Sequence, residues 1–252
     1  MHKFNSLKLV IKFALIILSA TILIAQIVIL QTVDPAQRPP EFEPYIFADT
    51  LANRDYDLDS LMAILGEAKG LPKGFEIAAA IAYSAYPQLK DARIDMILTD
   101  YGPPMMADID VWSLFGTRKN RLYQIKLNDA GSTFFDPILL RSLPFDAQVG
   151  ILAHELGHVA YYHQLNIFQI GKWGFSYLRS DNFHATHERT TDLMPIYHGL
   201  GSQIYQYANF IRYDPSCMEF YLNGKEFMDR FYMTDKELLG VINIYNQQKT
   251  EF

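Results

Sequence analysis

The pattern of hydrophobic and polar positions after residue 45 predicts a mostly helical chain that contains a few strands. Helical spacing extends over 57–69 and 75–86, so we expect a helix in each range. Alternation of apolar and polar residues over 92–99 and 121–128 predicts two half-buried strands. The stretch between them, 100–120, contains Pro103, Pro104 and Gly116 and is predicted to be loop-rich.

The second half of the chain is predicted to be mostly helical. Helical periodicity predicts further helices at 144–163, 166–178, 183–198 and 202–212. Thr234 and Glu237 have the spacing of a capping box, which predicts the start of a last helix that continues to about residue 248. Because the strands precede the central helices, the expected fold class is α+β, a mostly helical domain with a small sheet.

An apolar run without charged residues extends over 13–30 and predicts a transmembrane helix. At about 1.5 Å per residue this helix is about 27 Å long, close to the hydrocarbon thickness of a bilayer. Lys3, Lys8 and Lys12 precede it, so we expect a single-pass protein with a cytoplasmic N-terminus and an extracytoplasmic domain. The chain thus divides into a membrane anchor, a Pro-rich linker and one folded domain, at 1–30, 31–44 and 45–252.

The apolar run has a second interpretation, a cleaved signal peptide. Such peptides have a shorter apolar segment, about 7–15 residues, and end at a small-x-small cleavage site. Leu18 and Leu23 stand where that site requires small residues, before Ala20 and Ala25. Either interpretation places the domain outside the cytoplasm.

Composition excludes two classes of protein. A net charge of −6 and a pI near 5.6 argue against a nucleic-acid-binding protein, which usually has a basic face. Cys217 is the single cysteine, so the chain has neither an internal disulfide framework nor a Cys-rich zinc module.

The run His154-Glu155-Leu156-Gly157-His158 is the strongest chemical signal in the chain. His154 and His158 are four positions apart in a predicted helix, so both imidazoles leave the same face. This spacing suits two nitrogen ligands of one tetrahedral zinc ion. In this motif Glu155 is the general base for a water whose pKa zinc lowers towards about 7.

A catalytic zinc site needs a third protein ligand. The longer motif HExxHxxGxxH does not fit, because residue 161 is Tyr, residue 164 is Gln, and His163 is one position too early. Further along the chain, His184, Glu188 and Asp192 recur every four residues on one face of a predicted helix.

HExxH followed by ExxxD resembles the gluzincin class of zinc metallopeptidases. The resemblance implies a zincin-like domain with one zinc ion per chain, held by His154, His158 and Glu188, and with Asp192 steadying a ligand histidine. His184 or His187 remains an alternative third ligand. The resemblance further implies hydrolysis of peptide bonds in a protein or peptide substrate outside the cytoplasm.

An edge strand before the metal-binding helix pairs with the extended substrate in such peptidases. We expect the strand at 121–128 to be this edge, and an ordinary internal strand is the alternative. Tyr197, His198 and Tyr205 are candidate donors to the oxyanion, although each is also typical of a packed core. Two other functions stay open: a catalytically silent metal-binding or chaperone-like module, and a zinc amidohydrolase acting on non-peptide envelope substrates.

Overall fold

The structure is a computed structural model that describes residues 51, 54–65, 69–130 and 134–250. The predicted anchor and linker, 1–30 and 31–44, lie outside the described residues. Among the helices that the structure does describe, none combines the length and the apolar character needed to cross a bilayer.

The described residues form a mostly helical fold with one small sheet, which confirms the α+β class. The helices are α1 (Leu58–Leu65), α2 (Glu76–Ser84), α3 (Phe145–Gln164), α4 (Ile167–Arg179), α5 (Asp181–Tyr197), α6 (Gly201–Tyr213), α7 (Met218–Phe231) and α8 (Asp235–Thr250). The strands are β1 (Lys69–Gly70), β2 (Arg93–Thr99), β3 (Met105–Ile109) and β4 (Leu122–Asn128).

The sheet has the order β1-β2-β4-β3. The first three strands are parallel, and β3 runs antiparallel to β4 at the edge, with Ala107 opposite Ile125. Two expectations are therefore wrong: the strand at 121–128 is internal, and the loop-rich stretch contains a strand. The sequence of β3, MMADI, is short, and four of its five side chains are only partly buried. It therefore lacks the strict apolar–polar alternation by which a strand is recognised in a sequence.

Two helix predictions also need correction. The first helix ends at Leu65, and Lys69–Gly70 instead pair with β2 as a short parallel strand. Met218–Phe231 forms a helix that the pattern did not predict. The predicted capping box is confirmed: the Thr234 hydroxyl accepts from the Glu237 amide at 3.3 Å, and the Glu237 carboxylate accepts from the Thr234 amide at 2.8 Å.

Helix α3 is the centre of the fold and packs against α2, α5, α6 and β3. Most of its side chains are buried, so it is enclosed on nearly every side. Two glycines allow close helix packing: a Cβ at Gly150 would collide with the Gln203 backbone of α6, and a Cβ at Gly157 would lie 3.0 Å from the Thr191 side chain of α5. The run His154–His158 therefore lies inside the molecule on a buried helix.

Candidate metal centre

The side chains of His154, His158 and Glu188 meet in the buried interior between α3 and α5. The Nε2 atoms of the two histidines are 3.1 Å apart. The Oε2 atom of Glu188 lies 3.4 Å from His154 Nε2 and 3.3 Å from His158 Nε2. One atom from each residue thus points at a common centre, and this group can hold a metal ion.

The spacing of these three atoms fits a tetrahedral zinc site. Ligands at about 2.0–2.2 Å from one zinc in tetrahedral geometry are about 3.3–3.6 Å apart, and the observed distances are 3.1, 3.4 and 3.3 Å. Two imidazole nitrogens and one carboxylate oxygen are also the donor set of His₂Glu catalytic zinc sites. Other divalent metals accept the same donors, so geometry shows a metal-competent site and not the identity of the ion.

Asp192 contacts the Nδ1 side of the His154 ring, away from Glu188. Its Nδ1 atom lies 2.9 Å from Asp192 Oδ1, while Asp192 Oδ2 accepts a hydrogen bond of 2.7 Å from the Met233 amide. Burial alone would lower the pKa of His154, but Asp192 and Glu188 raise it well above its usual value. When Nε2 gives up its proton to bind a metal, a carboxylate at Nδ1 keeps the remaining proton on that nitrogen.

His158 is supported by a second histidine. Its Nδ1 atom lies 3.1 Å from His187 Nε2 and 3.4 Å from the Thr191 hydroxyl oxygen, which itself donates to the His187 carbonyl at 2.9 Å. Burial, followed by the nearby His158, lowers the pKa of His187 to about 4. A neutral His187 can accept the Nδ1 proton of His158, so it orients one ligand and does not join the cluster.

Glu188 offers one oxygen to the histidines and uses the other elsewhere. The Tyr177 hydroxyl of α4 donates to Glu188 Oε1 at 2.6 Å, and His184 Nε2 lies 3.6 Å from the same oxygen. Burial would raise the pKa of Glu188, but His158 and His154 hold it well below its usual value. The structure thus brings together the predicted residues of α3 and α5, with His184 beside the carboxylate.

Glu155 connects the motif helix to the edge strand. Its carboxylate is buried beside His158 and His154, and the Ala107 backbone of β3 is close enough to lower its pKa. Burial raises the pKa of Glu155, the two histidines lower it, and the net change is upward. A carboxylate at this position can exchange a proton with a group bound between the metal-binding residues and β3.

Three tyrosines near the carboxylates were not predicted. Tyr177 contacts Glu188 directly, and burial, followed by a nearby carboxylate, raises the pKa of Tyr177, Tyr207 and Tyr232. For Tyr207 that carboxylate is Glu155, and for the other two it is Glu188. All three stay protonated donors at neutral pH. Tyr177 follows Trp173 by four positions, a pair on one helix face that could have indicated a buried aromatic side of α4.

The three residues that the sequence suggested as oxyanion donors, Tyr197, His198 and Tyr205, do not join the cluster of His154, His158 and Glu188. Tyr205 is fully buried in an apolar cluster with Ile196 and Ile204. The His198 ring stacks on Tyr86 with 4.2 Å between centroids, and Tyr197 is half exposed at the end of α5. His163, which the motif excludes as a ligand, lies 3.2 Å from the Tyr123 hydroxyl.

Comparison of the chain with protein-family models, curated proteins and solved structures finds no match.

Proposed function

We propose that the protein is a zinc-dependent metallopeptidase with a gluzincin-type site. The observation that carries this proposal is the buried His154-His158-Glu188 triangle, with Glu155 beside it. A purely structural zinc site fills all four positions with protein ligands and needs no base, whereas three ligands and an adjacent carboxylate are typical of catalysis. The proposed zinc ion, one per chain, would supply Lewis acidity and lower the pKa of a water to about 7.

The residues of the chain have separate tasks in this proposal. His154, His158 and Glu188 bind the ion, and Asp192 and His187 hold the two imidazoles in the required tautomers. Glu155 takes the proton of the attacking water and passes it to the nitrogen of the leaving amine when the amide C–N bond breaks. No proton is gained or lost by the protein over the cycle.

The edge strand β3 supports a peptide substrate. β3 is antiparallel and terminal in the described sheet, and the backbone of its Ala107 lies near Glu155, whose pKa it lowers. An extended peptide that pairs with a free strand edge gains backbone hydrogen bonds with little demand on its sequence. Pairing at β3 would place the scissile amide next to Glu155, so we propose β3 as the substrate-binding edge in place of β4.

Zinc content and peptide cleavage, measured together on the full chain in detergent, test this proposal. Wild type is expected to hold near one zinc per chain, and Glu188→Ala little. The exposed Glu219→Ala is the matched control and keeps its zinc. Glu155→Gln keeps the metal but loses cleavage on the order of 10²–10⁴-fold, because the base is gone. Zinc retention in Glu188→Ala would move the third ligand to His184 or His187.

The two other functions give different results in the same assay. A silent metal-binding module would hold zinc and show no hydrolysis of any substrate. A zinc amidohydrolase for non-peptide substrates would cleave envelope amides and leave peptides intact, and both activities would depend on Glu155. The free edge at β3 favours the peptidase, since small amide substrates do not need backbone pairing.

The predicted location remains part of the proposal. A single membrane pass at 13–30 and an extracytoplasmic domain rest on the apolar run and the lysines that precede it. Protease accessibility of the domain in sealed membrane vesicles of known orientation tests this arrangement. Protection in vesicles that expose the extracytoplasmic side would contradict it.

A further inference from the structure

Helix α4 has two opposite faces, and only one of them serves the metal centre. Its inner face carries Ile170, Trp173 and Tyr177, which are buried or partly buried. Trp173 packs on Tyr162 of α3 with 4.7 Å between ring centroids, and Tyr177 donates to Glu188. These contacts fix the orientation of α4 and determine which side chains face outward.

The outer face of α4 is apolar and exposed. Phe168 is 86% exposed, Phe175 is 64% exposed, and Ile167 and Leu178 are exposed beside them. At about 100° per residue these four side chains fall within an arc of about 100°, opposite Trp173 and Tyr177. Isolated exposed apolar residues are common, but a continuous stripe along a helix marks an interaction surface.

A second exposed aromatic element lies next to the start of α4. Phe115 is 74% exposed in the segment between β3 and β4. Arg118 of that segment donates to the Gln164 carbonyl at 3.2 Å, and Arg121 donates to the Leu165 carbonyl at 2.6 Å. Both carbonyls belong to the junction from which α4 begins. The segment and the start of α4 are therefore neighbours, and their exposed aromatic and basic residues are together named the aromatic–basic surface: Phe115, Arg118, Phe168, Lys172, Phe175 and Arg179.

The charge of this surface is opposite to that of the protein. The chain has a net charge of −6, yet the stretches 111–128 and 156–180 contain no Asp or Glu at all. Arg118, Lys172 and Arg179 are exposed, and on α4 the last two lie beside the aromatic stripe. The next acidic residue, Asp181, already has a cationic neighbour, since its carboxylate is 3.1 Å from Arg230.

We infer that the aromatic–basic surface rests on an anionic lipid bilayer. Helices that lie in a membrane interface bury aromatic and aliphatic side chains at the headgroup boundary and pair flanking Lys and Arg with anionic lipids. An exposed face with bulky rings and cations at its border fits a bilayer plane, whereas a protein partner would need a matching acidic groove. The inference does not depend on the proposed enzymatic activity.

The predicted anchor is consistent with this orientation. Residues 31–50 separate the apolar run from Leu51, and a chain of 20 residues spans at most about 66–72 Å. A domain on such a tether stays within reach of the membrane surface. Contact through α4 would then orient the domain, which the tether alone would leave free to rotate.

Two helical glycines provide matched labelling sites for the test. Among the described residues, a Cβ at Gly171 on the outer face of α4, or at Gly240 on α8, meets nothing within 4 Å. Gly171→Cys and Gly240→Cys would each carry an environment-sensitive fluorophore in the full chain, reconstituted in vesicles with or without phosphatidylserine. Wild type is the labelling blank, because Cys217 is buried and burial raises the pKa of its thiol to about 11.

The expected result is a blue shift of the label at 171 and its quenching by lipid-borne quenchers in anionic vesicles. The label at 240 keeps a water-like spectrum, and the double variant Lys172→Glu/Arg179→Glu loses the shift at 171. Equal, water-like spectra at both positions would overturn the inference. So would a shift at 171 that appears without vesicles and grows with protein concentration, because the surface would then bury against a second copy.

Discussion

His154 Nδ1 lies 2.9 Å from Asp192 Oδ1, so a residue one turn beyond Glu188 on α5 orients a ligand on α3. The second oxygen of Asp192 accepts from the Met233 amide at 2.7 Å, in the turn before α8. One buried carboxylate thus joins three separate parts of the chain. Nε2 of His154 is directed at Glu188, and once it binds a metal the Asp192 carboxylate favours the tautomer with the proton on Nδ1.

Asp192→Asn is expected to weaken zinc binding on the order of 10–100-fold without unfolding the protein. The amide is nearly the same size and keeps one oxygen for the Met233 amide, but its NH₂ group opposes the Nδ1 proton of His154. Competition with a chelator of known affinity measures the change. Asp229→Asn, a partly buried carboxylate bound to Lys225, is the control and should leave zinc affinity unchanged. Equal affinity in both variants would contradict the role of Asp192.

A non-cleavable peptide inhibitor is expected to slow hydrogen exchange in β3 and leave β4 unchanged. β4 already pairs with β2 on one side and β3 on the other, so its amides have partners before any peptide binds. β3 pairs with the sheet on one side only. Mass spectrometry of fragments that cover Met105–Ile109 and Leu122–Asn128 separates the two strands. Protection confined to β4 would contradict binding at the edge.

Tyr232→Phe is expected to lower kcat on the order of 10²–10³-fold while zinc stays bound. Tyr232 lies beside His154, with 6.2 Å between ring centroids, and burial followed by Glu188 raises its pKa, so its hydroxyl remains a donor. Steady-state kinetics with zinc analysis gives the result. The control, Tyr245→Phe, removes an exposed hydroxyl that donates to the Tyr197 carbonyl and should change neither quantity. Unchanged kcat in Tyr232→Phe would exclude it as a donor to the oxyanion.

Gly150→Ala and Gly171→Ala are expected to change stability in opposite directions. A methyl at Gly150 collides with the Gln203 backbone, and since backbone cannot rotate away, the variant loses about 1–3 kcal/mol or does not fold. Gly171 has open space, so Ala adds helix propensity and about 0.5–1 kcal/mol. Urea unfolding at fixed pH compares the two. A stable Gly150→Ala protein would show that α3 and α6 pack less closely than described.

Local patterns predicted the parts of the site that a single helix determines. The spacing of His154 and His158 places two ligands on one face wherever that helix lies, and the Thr234–Glu237 box marks a helix start without help from the rest of the fold. Local spacing alone does not identify Glu188 as a member of the cluster, because a four-residue spacing of Glu and Asp is common on solvated helices. Its place in the cluster follows from the packing of α5 on α3, which no local pattern contains.

Long-range pairing explains the wrong predictions. The order of the strands, and hence the edge, depends on contacts between segments far apart in sequence, so alternation over 121–128 cannot separate an edge from a centre. His187 is an alternative ligand to Glu188 on sequence grounds, because histidines bind metals. Its actual contact is with His158 Nδ1, which depends on how α5 is rotated against α3. Nothing in the spacing of α5 distinguishes the two roles.

The close packing of α3 and α5 at Gly157 limits how far the donor atoms on the two helices can lie from one another. Two of the three candidate ligands come from one helix and the third from the other, so the separation of the helix axes fixes the gap between nitrogen and oxygen donors. A Cβ at 157 would stand 3.0–3.1 Å from Thr191 and Met194 and push the helices apart by tenths of an ångström. Metal–ligand bonds accept deviations of about 0.2 Å. A residue without a side chain, next to His158 in the chain, thus governs how closely the two helices bring the candidate ligands together.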